Sequence, residues 1–280
     1  MANVLVLANE TIGGKALLDA ILERHEQGDA QFFIVVPRSR PKFGNVVYDE
    51  AVRSSAQVRV DLALAFARQH GMTAQGETGD EDPFNAAMDA IAEHRIDEVI
   101  ISTHPQTSSG WMRRDLPERI REASDLPVSH VVVDIANEGL PFDVTLVLAN
   151  QTAASGELTD CLKKLNSEGA RRFIVVVPQD SGDGTALSAA RERLRALLSS
   201  LDEADIVSAG MIGDPDPFIA TMNAVGYFFI SEIVISTLPD YRSAWLESGL
   251  VDKIKRQTNK PVIHVESSDV SAPAGATAEG

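Results

Sequence analysis

The stretch from Val99 to Ile120 reads VIISTHPQTSSGWMRRDLPERI, and the stretch from Ile233 to Ile254 reads IVISTLPDYRSAWLESGLVDKI. The two run in register at an offset of 134 positions. Ser102 falls on Ser236, Thr103 on Thr237, Pro105 on Pro239, Ser109 on Ser243 and Trp111 on Trp245. The chain has two tryptophans, so both occupy this one place in the repeat. In each copy a β-branched run stops at Ser-Thr-x-Pro, a polar loop follows, and a helical pattern begins. A strand that feeds a helix through a hydroxyl-rich loop is where α/β proteins place their ligands.

Upstream, VLVLANET at Val4 to Thr11 matches TLVLANQT at Thr145 to Thr152, and FFIVVP ending at Pro37 matches FIVVVP ending at Pro178, both at an offset of 141. From Gly79 and Gly213 onward the offset is 134, so the second copy carries a net deletion between Pro37 and Gly79. A repeat of this length is a whole domain rather than a solenoid unit. Gly and Pro break the pattern in ANEGLPF, Ala136 to Phe142. The expected organisation is a first domain over 1–137, a second over 138–266 and a tail over 267–280. The tail, SSDVSAPAGATAEG, has too few apolar residues to offset the entropy of ordering and is expected to be disordered.

Within the first copy, short apolar runs at Val4–Ala8, Phe32–Val36, Glu98–Ser102 and Pro127–Val133 read as buried strands, with a weaker one at Met72–Gly76. Helical spacing recurs through Leu17–Leu22, Asp49–Gln69, Phe84–His94 and Pro117–Ala123. Alternating strands and helices imply a parallel sheet covered on both faces. The fold class is therefore α/β, with two tandem, doubly wound, parallel five-stranded sheets. The expected strand order is 2-1-3-4-5 or its relative 3-2-1-4-5. In the second, strands one and four meet at the switch point, bringing Asn9-Glu10-Thr11 beside Ser102-Thr103-His104.

Composition narrows the function. The 280 residues carry a formal charge of −16 and a pI near 4.7. That excludes nonspecific nucleic-acid binding, which needs excess Lys and Arg, and a polybasic membrane surface. No apolar run is long enough to cross a bilayer and no signal-peptide pattern opens the chain, so the expected location is the cytoplasm. Cys161 is the single cysteine, leaving no intrachain disulfide and no thiolate metal cluster.

This layout resembles the universal stress protein family in its tandem two-domain form. The doubled βα plan, the ANxT loops, the Asp-Pro turns before the third helices, the STxP loops and the Pro-Val lead-in to the fifth strands carry the resemblance. It implies that the domains pair through their fifth strands as a pseudo-dimer, with homo-oligomers as a further option. It also implies a nucleotide ligand: ATP, AMP or another adenine nucleotide. Nucleotide-binding members carry G-x2-G-x9-G-(S/T) after strand four. Here its glycine places fall on Ser102, Pro105 and Asp115, and on Ser236, Pro239 and Gly249. Only Gly249 is kept, so the phosphate loop is degenerate. The family's acidic residue after strand one becomes Asn9 and Asn150.

The candidate nucleotide-binding residues are Asn9, Thr11, Ser102, Thr103, His104, Ser108, Ser109, Trp111, Arg113 and Arg114, with Asn150, Thr152, Ser236, Thr237, Ser243, Trp245 and Gly249 in the second copy. Hydroxyl and guanidinium donors can hold phosphate in place of a glycine cradle, and tryptophan can stack on a base or anchor its loop. Arg113 and Arg114 favour the first copy, because Glu247 stands in place of Arg113 in the second. His130 and His264 recur in strand five and read as structural. Asp82-Pro83 and Asp216-Pro217 read as helix caps. No metal or general-base constellation repeats, so the expected role is noncatalytic binding or sensing. The alternative is a ligand-free scaffold acting through protein contacts in the stress response.

Overall fold

The computed structural model describes residues 1–38, 49–105, 115–179, 184–239 and 243–267; the side chains of 49–54 and 184–186 also lie outside the description. The chain divides into two compact units, Met1–Asp143 with Gly226–Phe229, and Val144–Val225 with Ile230–Gly280.

The first repeat runs β1 (Ala2–Leu7), α1 (Lys15–Glu26), β2 (Ala30–Pro37), α2 (Asp49–Gln69), β3 (Thr73–Gly79), α3 (Pro83–His94), β4 (Glu98–Thr103), α4 (Leu116–Ser124), β5 (Val128–Val132) and a short α5 (Ile135–Glu138). The second runs β6 (Asp143–Leu148), α6 (Gly156–Ser167), β7 (Arg171–Pro178), α7 (Gly184–Asp202), β8 (Ser208–Gly213), α8 (Pro217–Tyr227), β9 (Glu232–Thr237), α9 (Ala244–Glu247), α10 (Leu250–Thr258) and β10 (Val262–Glu266). The sheet orders are β3-β2-β1-β4-β5 and β10-β9-β6-β7-β8. Read from the third strand of each repeat, both are 3-2-1-4-5, which removes the 2-1-3-4-5 alternative. The described pairings are parallel; in the first sheet Leu7 lies opposite Val35 on one side and Ile101 on the other.

Strand β1 shows why the inner strands read as unbroken apolar runs. Val4 and Val6 pack with Phe32, Ile34, Leu17 and Ile21 on one face. Leu5 and Leu7 pack with Phe33, Val35, Ala86, Ala90 and Ile120 on the other. Both faces are covered, so alternation disappears from the sequence. The weaker third strand is an outer one. Its residues are half-buried or exposed, none fully buried, and it ends three residues past the expected end, at Gly79.

Helix α3 begins as its sequence requires. Asp82 accepts from the Phe84 amide at 2.8 Å, with Pro83 in the first turn. Asp216 accepts likewise from Phe218 (2.8 Å) and Ile219 (3.2 Å). Asp115 and Gly249, aligned in the strand-four loops, share one backbone state. Both are left-handed N-cap positions, φ +48° and +67°, leading into α4 and α10. The kept glycine thus has a conformational reason that needs no phosphate.

Candidate functional site

The loops after strands one and four meet in both units. Thr11 donates from Oγ1 to the Ser102 carbonyl (3.4 Å), and Thr152 donates to the Ser236 carbonyl (3.1 Å). Both threonines are buried, and each hydroxyl ties the strand-one loop to strand four. Adjacent to this tie, Thr103 Oγ1 lies 2.8 Å from His130 Nε2, and Thr237 Oγ1 lies 2.8 Å from His264 Nε2. The recurrent histidines therefore hold recurrent threonines. An imidazole on a hydroxyl is also the starting geometry of an activated nucleophile. Among the described residues, however, neither imidazole has a second hydrogen-bond partner to orient it.

His130 lies on the exposed side of β5, and only the partial desolvation around its ring lowers the imidazole from its usual range. The neutral ring is thus favoured in the folded state, and the unfolded chain binds the proton more readily. This contribution to stability is complete above about pH 6.5. It is lost as pH falls below that value and through the lower folded one. His130→Gln should flatten the acid-side slope of stability against pH, measured by urea unfolding across the series.

In the second unit the loops enclose an open cleft of about 220 Å³, lined by Asn150, Gln151, Thr152, Ser236, Thr237, Leu238, Ser243, Ala244 and Trp245. Six candidates fall on this lining: Asn150, Thr152, Ser236, Thr237, Ser243 and Trp245. Gly249 stands outside it. Trp245 is half-buried on the short helix α9. Several hydroxyls here are engaged inside the protein. Thr152 holds the Ser236 carbonyl, Thr237 meets His264, and Ser236 Oγ lies 3.2 Å from Ser267 Oγ. Ser243 accepts from the Leu246 amide at 3.3 Å, which leaves its own proton to donate.

An arginine that the sequence reading passed over completes the site. Arg193 on α7 donates from Nη1 to Asn150 Oδ1. That bond holds the Asn150 side chain against α7 from the loop after β6. At the offset of 134, Arg193 falls on Arg59. Arg59 is 3% exposed; burial lowers its guanidinium to about 10, and the charge of Glu10 pulls the other way. Glu10 Oε2 also lies 3.6 Å from His104 Nε2. The second copy has Gln151 and Leu238 at these two places, so it lacks this contact.

No protein-family model matches the chain, and no curated protein matches it in sequence. Among solved structures it resembles a universal stress protein from Archaeoglobus fulgidus DSM 4304. Identity is 14%, over 95% of this chain and 98% of that one, with a TM-score of 0.35. It also resembles the cytoplasmic domain of a prokaryotic cation chloride cotransporter, at 12% identity over 94% of this chain and 95% of that one, TM-score 0.30. The strand order establishes the fold. No described helix is long and apolar enough to cross a membrane.

In the first unit Asn9, Thr11, Ser102, Thr103 and His104 meet at the switch point. Ser108, Ser109, Trp111, Arg113 and Arg114 lie outside the described residues, as does the tail from 268. Ser267, the first residue assigned to that tail, is fully buried. It joins a hydroxyl chain: Ser155 Oγ to Ser267 Oγ at 2.8 Å, and Ser267 Oγ to Ser236 Oγ at 3.2 Å. The first unit has Gly14 and Val133 at the places of Ser155 and Ser267. There, among the described residues, the buried Ser102 Oγ has no hydrogen-bond partner.

Proposed function

We propose that this protein binds a nucleotide-like small molecule without turning it over, and that the second-unit cleft is a site for it. ATP, AMP or another adenine nucleotide is the ligand class. What supports the reading most is the switch-point cleft itself, lined by Asn150, Ser243 and Trp245, with Arg193 holding the Asn150 side chain. A donor there favours an acceptor-rich group such as a phosphate or a base carbonyl. The Ser243 hydroxyl offers such a donor, and the Trp245 ring offers a face for a base. Expectation had favoured the first copy because of Arg113 and Arg114, which lie outside the described residues.

Isothermal calorimetry of the full chain with AMP, ATP and cyclic AMP, with and without magnesium, tests this. Heat from at least one of them at a saturable site is expected. Arg193→Met should weaken that site about tenfold to a hundredfold, the range for a charge-assisted hydrogen bond. A flat trace with all three ligands, or a site indifferent to Arg193→Met, would overturn the proposal. The flat trace would favour the scaffold.

A further inference from the structure

At the outer edge of the first sheet, away from the crevice, three potential metal ligands converge. Glu77 on β3 and Glu93 and His94 at the end of α3 each bring one donor atom to within 4.8 Å of the other two. The His94 ring is stacked on Phe33, centroids 4.7 Å apart and planes 21° apart. That contact fixes the imidazole, and its Nε2 lies 3.4 Å from Glu77 Oε1. Glu77 and His94 are part-buried and Glu93 is exposed, so one ligand is free to swing.

The second copy shows that the fold does not need these groups. At the same offset Glu77 becomes Met211, Glu93 becomes Tyr227 and His94 becomes Phe228. Met211 and Tyr227 are buried there and Phe228 is half-buried. In the first copy two carboxylates and one imidazole, each able to ligate a metal, stand at those places.

From this geometry we propose that Glu77, Glu93 and His94 form a binding site for a divalent first-row transition ion such as zinc. Two carboxylate oxygens and one imidazole nitrogen suit zinc, cobalt or manganese better than magnesium or calcium, which take oxygen-only sets. Metal–ligand distances near 2.1 Å put donors roughly 3–4 Å apart, which a small rotation of Glu93 supplies. Three protein ligands leave positions for water, so the ion would be exchangeable. This site is independent of the nucleotide proposal.

The test is a Co²⁺ titration of the chelator-treated full chain, followed by visible d–d absorption, with Zn²⁺ as competitor. Excess Mg²⁺ and physiological salt suppress loose uptake by an acidic surface. One saturable equivalent, displaced by Zn²⁺ and not by Mg²⁺, is expected. His94→Phe and Glu77→Met install residues the second copy already uses. The first should lower Co²⁺ affinity about a hundredfold and the second about tenfold or more, both with unchanged circular dichroism. Glu93→Gln stands in if either variant misfolds. Absence of a saturable band in the wild type, or equal affinity in the folded variants, would overturn the assignment.

Discussion

Arg171→Leu should destabilise the second unit by about 3–5 kcal/mol, the range for stripping one partner from a buried ion pair. Arg171 enters from the start of β7 and pairs with Glu232 at the start of β9, side chains 9% and 16% exposed. Thr145 links them, accepting from Arg171 Nη1 at 2.7 Å and donating to Glu232 Oε1 at 2.9 Å. Without the guanidinium, the carboxylate keeps one hydroxyl and little water. Arg171→Leu with Glu232→Leu should recover most of the loss, because the stranded charge goes too. The first unit has the same carboxylate, Glu98, with a different partner. Arg24 reaches it from α1 at 2.6 Å, in a pair 17% and 27% exposed. Arg24→Leu should cost less, about 1 kcal/mol. Urea unfolding of the full chain, followed by hydrogen exchange to separate the units, ranks the variants. A double variant as unstable as Arg171→Leu alone would refute the stranded-charge account.

That pair illustrates what the sequence makes legible. The strands, their order and the two crevice loops could be read because they rest on burial: a strand covered on both faces has to be apolar throughout. The Asp-Pro caps could be read because a cap is local. The missed features depend on which residues the fold brings together. Arg193 sits in a helix whose pattern reads as amphipathic, where an arginine belongs to the solvated face. Its one sequence signal is its match to Arg59 at the offset of 134, which aligns the later strands but not the first two. The Thr103–His130 and Thr237–His264 pairs join strands four and five through a register that neither strand states. Glu77 lies on an outer strand and Glu93 and His94 at a helix end, so no motif spacing links them. The short helix α9, which carries Trp245, is held by a Ser243 cap inside what reads as loop.

Gly14→Ser should destabilise the first unit by about 3 kcal/mol, at the upper end of overpacking costs. Gly14 is the N-cap of α1 at φ −72° and ψ 141°, a conformation open to any residue. The obstacle is steric: a Cβ there would lie 2.1 Å from Val133 Cγ1. The second copy holds the other solution to the same space. Ser155 replaces the glycine and Ser267 the valine; Ser155 caps α6, accepting from the Leu158 amide at 3.2 Å. Val133→Ser alone should cost about 2 kcal/mol, since it removes a buried side chain. Gly14→Ser with Val133→Ser should be much better than the sum. It removes the clash, gives α1 a cap worth about 1 kcal/mol, and offers the buried Ser102 hydroxyl a neighbour. A coupling of about 2 kcal/mol or more is expected from the four-corner cycle by chemical unfolding. A coupling near zero would mean that β5 simply moves aside and that the Gly-Val and Ser-Ser pairs are not alternatives. The outcome also bears on the crevice floors. If the swap is tolerated, the first unit acquires the second unit's hydroxyl chain, and the effect of that floor on nucleotide binding becomes measurable with the rest of the chain unchanged.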